Sequence, residues 1–301
     1  MTLFETMAPG ALGPGIASGI VFGVGVLLTR VSRKDGWRGA FTGLALAVGF
    51  SVGFLVVRRT WPSLPLEAGR VATDWVAWFA PAGFVLGLLG WALRLKAPIA
   101  LPLRFLAALG AAWLLLSPHA GLEAAEKWTR ALLTAAAASV IWVAAAAPAD
   151  RDEAPGVVAL PFMVAAGTTA AVFALLANSV SLGQLAGSLS AALGAAWGLG
   201  FLLKQPAASR TGAGVITLVF AGLLLSGHTY LNYGTQIHFP ALAAGLLALG
   251  PVLGVLVGRA VSGKVPPLAT AVLSTLPVLL LAGLAAWAQQ AGAPTPSPGP
   301  Y

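Results

Sequence analysis

Cysteine is absent from the 301-residue chain. Disulfide frameworks, thiolate zinc sites and iron–sulfur clusters are therefore excluded, and cysteine usage says nothing about redox compartment. Charge is nearly as scarce: 9% of the residues are charged and 58% are apolar, with a mean hydropathy of +0.88. A water-soluble domain keeps about a quarter of its residues charged, so this composition belongs in a bilayer. Acidic residues are the rarest, and each of the nine can be placed in a loop or at its margin: Glu5, Asp35, Glu67, Asp74, Glu123, Glu126, Asp150, Asp152 and Glu153. With no carboxylate in mid-span, the sequence offers none of the titratable relay that proton-driven carriers use, whereas sodium coupling through hydroxyls, amides and unwound carbonyls stays open. It also contains no Walker sequence, no G-x-S-x-G elbow and no paired aspartates, so no enzyme constellation is visible.

What the chain has is apolar runs. Clusters of charge, Pro and Gly divide it into ten, at about 11–29, 39–57, 75–93, 99–116, 131–147, 157–177, 183–203, 212–227, 239–258 and 267–288. Each is long enough to cross a hydrocarbon core of about 30 Å as a helix. None alternates apolar and polar residues as a membrane β-barrel strand would. The expected fold is thus an all-α polytopic bundle of about ten transmembrane helices. The weakest spans in this count are the short eighth and the tight connection near Asn178 between the sixth and seventh.

The formal charge of +8 is spread over short loops, which argues for topology and against a nucleic-acid partner. Of the 17 basic residues, one set of alternate loops holds twelve: Arg30, Arg33, Lys34, Arg38, Arg94, Lys96, Arg104, Arg151, Lys204, Arg210, Arg259 and Lys264. The other set holds five: Arg58, Arg59, Arg70, Lys127 and Arg130. Cytoplasmic loops retain Lys and Arg, so the first set is expected inside and both termini outside a bacterial inner membrane. The resulting organisation is a short exterior N-terminus (1–10), a first five-helix half (11–147), a cytoplasmic linker (148–156), a second five-helix half (157–288) and a disordered Pro-rich exterior tail (289–301). Five spans per half would give the halves opposite orientations, as in inverted-repeat transporters. The layout resembles that of the drug/metabolite transporter superfamily in span count and length. No residue motif carries that likeness, and the outside termini depart from the family's pattern.

Few polar groups remain for chemistry. The stretch GHTYLNYGTQIHFP, residues 227–240, holds two of the three histidines and two of the three tyrosines. In this threading His119, His228 and His238 all reach the exterior face, where imidazoles could ligate a metal or sandwich a haem. Their spacing contains no paired i, i+4 motif, and an interfacial imidazole with a wet edge is the ordinary alternative. No other cofactor is expected. Tyr230, Asn232, Tyr233 and Gln236 form a polar connection that serves as a membrane anchor, a docking loop or a substrate mouth. Arg104 is the deepest cation, placed either to snorkel to the interface or to bind an anion entering from the cytoplasm. Prolines 14, 81, 102, 161, 251 and 277 interrupt spans, and small residues spaced by four (Gly19 and Gly23, Gly183 and Gly187, Gly194 and Gly198) allow close helix approach.

Two functions fit these residues. The missing intramembrane acids and the small-residue faces favour a non-catalytic accessory or structural subunit with protein partners in the bilayer or at its exterior face. The repeat-like halves and kinked spans fit a small-solute permease without obvious proton coupling.

Overall fold

The computed structural model describes residues 3–32, 38–62, 74–146, 156–203, 209–232 and 239–291. Tyr233, Gln236 and His238, nearly all of the linker and the tail beyond Ala291 lie outside the described residues. The described residues form ten helices: α1 Leu3–Ser32, α2 Arg38–Arg58, α3 Asp74–Ala92, α4 Ala97–Leu116, α5 Ala124–Ala146, α6 Ala159–Ala171, α7 Val180–Leu203, α8 Arg210–Asn232, α9 Ala241–Val261 and α10 Pro267–Ala291. All ten are long and apolar enough to cross a membrane, α6 with the help of a π-helical turn at Val172–Leu176. Helix is what such runs must form in lipid, because it satisfies every backbone group within the segment.

Several boundaries differ from the sequence expectation: α5 starts at Ala124, seven residues early, and α8 runs five residues further, to Asn232. The helix α1 starts at Leu3, ahead of the apolar stretch Ala11–Arg30 that crosses, and α10 continues through Gln289 to Ala291. The helices at both doubtful places are long and apolar enough to cross a membrane. The eighth helix is 23 residues long. Between α6 and α7 the π turn and a left-handed Asn178 (φ 46°) reverse the chain within a few residues, with Ser179 N–H donating to the Phe173 carbonyl at 2.8 Å. Pro81, Pro102, Pro251 and Pro277 all lie inside helices. Neighbouring helices make such interruptions tolerable in a membrane bundle.

Helix directions follow from which glycines meet which residues. The pairs α1–α7 (Gly15 at Ala191, Gly19 at Ala195) and α2–α8 (Gly39 at Ser209, Gly43 at Thr211) are parallel. The pairs α3–α8 (Gly83 at Gly214, Gly87 at Thr211) and α9–α10 (Gly250 at Val278, Gly254 at Ser274) are antiparallel. An up-down path with every one of the ten crossings present satisfies all four. One end of the bundle, called the basic end below, then collects the α3–α4 and α9–α10 turns with Arg94, Lys96 and Lys264.

At the centre stands α8, with 89% of its crossing window buried against α2, α3, α4, α5, α7 and α9. Its crossing with α3 is a backbone contact: a Cβ at Gly83 would lie 2.5 Å from the Gly214 carbonyl oxygen, and one at Gly214 would meet the Gly83 carbonyl and, at 3.0 Å, the Trp142 ring. Without a hydrophobic force between helices in lipid, this kind of close approach supplies the dispersion that holds them. Of the glycine pairs singled out in the sequence, Gly183 and Gly187 pack on α6, and Gly19 and Gly194 meet side chains, whereas Gly23 and Gly198 face open space.

Candidate functional site

At the end away from the basic loops, the C-terminal end of α8 carries His228, Tyr230 and Asn232. The Asn232 amide clips the next helix in place, with Oδ1 accepting the Phe239 N–H at 2.5 Å and Nδ2 donating to the Phe239 carbonyl at 2.9 Å. His228 Nδ1 lies 2.9 Å from that same carbonyl. A carbonyl only accepts, so Nδ1 carries the proton and the neutral ring's lone pair falls on Nε2. Asn232 Nδ2, 3.1 Å from Nδ1, is then a neighbour and not a donor to it. Phe239 is fully buried against Phe173, so its backbone has few other partners within reach. Asn232→Ala is expected to cost about 1–2 kcal/mol and to lower the melting temperature measurably, while Asn232→Asp should retain part of the clip.

Tyr230 faces α4, its hydroxyl donating to the Leu115 carbonyl at 2.6 Å, and its ring meets that of His119 at 5.4 Å in the α4–α5 turn. Burial lowers the His119 pKa below 6.5, and Lys127 and Arg130 push it the same way against Glu126. The folded chain thus disfavours the imidazolium and the unfolded chain does not. The stability of this contact is complete above the ordinary histidine pKa of about 6.5 and falls away as pH drops through the lower folded value. His119→Gln, which cannot charge, is expected to shrink the loss of melting temperature between about pH 7 and pH 5. An acid limb identical to that of the unmodified chain contradicts the contact.

The stretch therefore ties three helices together. Tyr230, Asn232 and His228 each hold a backbone group, and His119 packs on Tyr230. Among the described residues no group of three His, Cys, Asp or Glu could hold a metal ion. Tyr233, Gln236 and His238 lie outside the described residues, and with His238 the complete histidine trio.

Two cavities flank α5. The first lies at the basic end between α3, α4 and α5, has a volume of about 230 Å³, and is lined by Leu86, Leu89, Leu93, Leu103, Arg104 and Trp142 among others. Arg104 sits over the Trp142 ring at 5.8 Å, within cation–π range, and Trp142 is itself buried at the α3–α8 crossing. Its guanidinium is drawn onto an interior wall. The second cavity, about 250 Å³, lies on another side of α5, between α5, α8 and α9, with Arg130, Thr134, Leu224 and His228 on its wall. Arg130 is held by Glu126 at 2.6 Å, so the charge on that wall is largely compensated. Beside the cavities α3, α4, α5 and α8 close into a constriction around Phe79, Ala112, Leu115, Ala138, Leu218 and Gly222, leaving a void of about 10 Å³.

Three buried hydroxyls that did not stand out in the sequence lie on α8. Thr217, Ser226 and Thr229 of α8 are fully buried, and their oxygens have no hydrogen-bond partner among the described residues. Thr217 falls on the same helical face as Ala221, Leu224 and His228, one turn below the second cavity. A membrane helix normally returns such hydroxyls to a backbone carbonyl, as Ser188 does to Gln184 and Thr168 to Ala165. Ser190 bridges α7 to the Met163 carbonyl of α6 and has a structural role. The chain matches no protein-family model and no curated protein.

Proposed function

We propose that the chain is a multi-pass permease for a small solute. The observation that carries this reading is the pair of cavities on two sides of α5, one at the basic end beside Arg104 and Trp142 and the other running from Arg130 to Ile141, with the close packing of Phe79, Ala138 and Gly222 beside them. Alternating access needs two half-cavities that a modest rocking of helices can connect in turn. Under the positive-inside rule the Arg104 cavity faces the cytoplasm of a bacterial inner membrane, and both termini face the exterior. The buried hydroxyls of Thr217, Ser226 and Thr229 would supply acceptors along the path, without the carboxylate that proton coupling requires.

Helix pairing follows an inverted repeat only in part: the extensive α1–α7 and α5–α8 packing has no counterpart in α2–α6 or α3–α10. If α1–α5 correspond to α6–α10, then α2 with α7 and α3 with α8 are contacts between equivalents, and both occur. The pairs α1–α2 and α4–α5 likewise have counterparts in α6–α7 and α9–α10.

A second reading, the accessory subunit favoured by sequence alone, draws support from the outward faces. Gly23, Gly110, Gly198 and Gly283 have open space where a side chain would go and line neither cavity, room that a partner helix could use. Reactivity at the constriction separates the two. Ala138 is 1% exposed, so a cysteine there reacts with a membrane-impermeant maleimide only if the path opens. A permease labels from both sides; a static subunit labels from neither and keeps other polypeptides at fixed ratio through purification.

A further inference from the structure

We infer that the basic-end cavity binds an anionic phospholipid, with its phosphate on the Arg104 guanidinium and an acyl chain along Leu86, Leu89 and Leu103. This depends on the cavity alone: lipid binding without solute flux would leave it standing while removing the permease reading.

Arginine within a membrane-spanning helix is rare and marks a candidate binding position. Arg104 follows the start of α4 at Ala97 by seven residues, which at the helical rise is about 10 Å. Trp142 holds the guanidinium inward over its ring, so the side chain is not simply extended into water. Among the described residues no Asp or Glu lines the cavity, and Arg94 and Lys96, both exposed, flank its Leu93 and Leu95 wall with positive charge. The site is complementary to an anion.

The walls specify the rest. Leu89, Leu93 and Leu103 are large apolar side chains left about half or more exposed, so the cavity opens sideways onto the surface that lipid covers. A hydrophilic anion arriving from water would gain nothing from a leucine-lined lateral opening, and a neutral apolar solute would gain nothing from Arg104. A phosphodiester carrying hydrocarbon uses both. The volume of about 230 Å³ accommodates the phosphate end and the first methylenes, with the remaining chain in the bilayer. Guanidinium is suited to this role because its planar fork meets phosphate oxygens bidentately.

The experiment is native mass spectrometry of the detergent-purified full chain titrated with dioleoyl phosphatidylglycerol, with dioleoyl phosphatidylcholine as the neutral comparison. The unmodified chain is expected to retain one phosphatidylglycerol more tightly than phosphatidylcholine. Arg104→Gln should weaken the first by about tenfold and leave the second unchanged. Leu89→Trp, which fills the groove and keeps the charge, should weaken phosphatidylglycerol similarly; its melting temperature checks that it is folded, and it carries the test if Arg104→Gln does not fold. Lys264→Gln, at the basic end and away from the cavity, should bind as the unmodified chain does. Equal retention of the two lipids, or undiminished phosphatidylglycerol binding in a folded Leu89→Trp, overturns the inference. Displacement of the lipid by millimolar inorganic phosphate would mark an aqueous anion site and overturn it as well.

Discussion

Gly214→Leu is expected to remove the folded protein from the membrane extract. The new side chain would enter the crossing of α3 and α8, where a Cβ alone already collides with the Gly83 backbone and the Trp142 ring. Overpacking usually costs about 1–3 kcal/mol because neighbouring side chains rotate away. Here the first obstacle is the backbone of a helix, which can move only by separating the two. The crossing also lies on the most buried helix of the bundle, so the displacement spreads to α2, α4 and α5. Gly245→Leu is the control, since nothing lies within 4 Å of a Cβ there. The account expects monodisperse, cooperatively melting protein from Gly245→Leu and aggregate or no protein from Gly214→Leu. Equal behaviour of the two would mean that α3 and α8 do not cross at these glycines.

Trp142→Ala carries the second large effect. Trp142 is 3% exposed and fills the space beside Gly214 while supporting Arg104. Deleting a buried indole costs about 3–5 kcal/mol through lost transfer energy and the residual cavity. A fall in melting temperature of about ten degrees is the expected scale. Trp142→Phe retains most of the volume and a weaker cation–π face, so it should recover most of the stability. Because Trp142 touches the Gly214 site, the two changes are expected to be non-additive. A melting temperature unmoved by Trp142→Ala would contradict its position at the crossing.

The sequence made the crossings legible because their signal is strong and local. A run of about twenty apolar residues has few alternatives in lipid, and the loops that break the runs concentrate the charge. Helix pairing was much less legible. In water, a helix that packs on a core shows an apolar face; in a bilayer the lipid-facing side is just as apolar, so periodicity does not say which face meets which neighbour. That is why Gly83 and Gly214, which meet backbone to backbone, did not stand out, whereas Gly23 and Gly198 did and face open space. Trp142 read as one more apolar residue in an alanine-rich run. Arg104 was visible as the deepest cation, but its partner is 38 positions away in the chain, and only the packing of α4 on α5 brings them together. The His and Tyr residues near the end of α8 were also visible, and the structure gives them a role the spacing did not show. Tyr230, Asn232 and His228 satisfy backbone groups of α4 and of Phe239 at the start of α9.

The most direct test of the account uses the natural absence of cysteine, which makes each introduced thiol the only one in the chain. Single cysteines at Ala107 in the Arg104 cavity, Ala244 in the His228 cavity and Ala138 in the constriction would be exposed to an impermeant maleimide in membrane vesicles of each orientation. The account predicts labelling of Ala107→Cys only from the side of the 93–96 loop, labelling of Ala244→Cys only from the other side, and slow labelling of Ala138→Cys from both. Labelling of Ala107→Cys and Ala244→Cys from the same side would contradict the opposed cavities, and an Ala138→Cys that never reacts would contradict the permease.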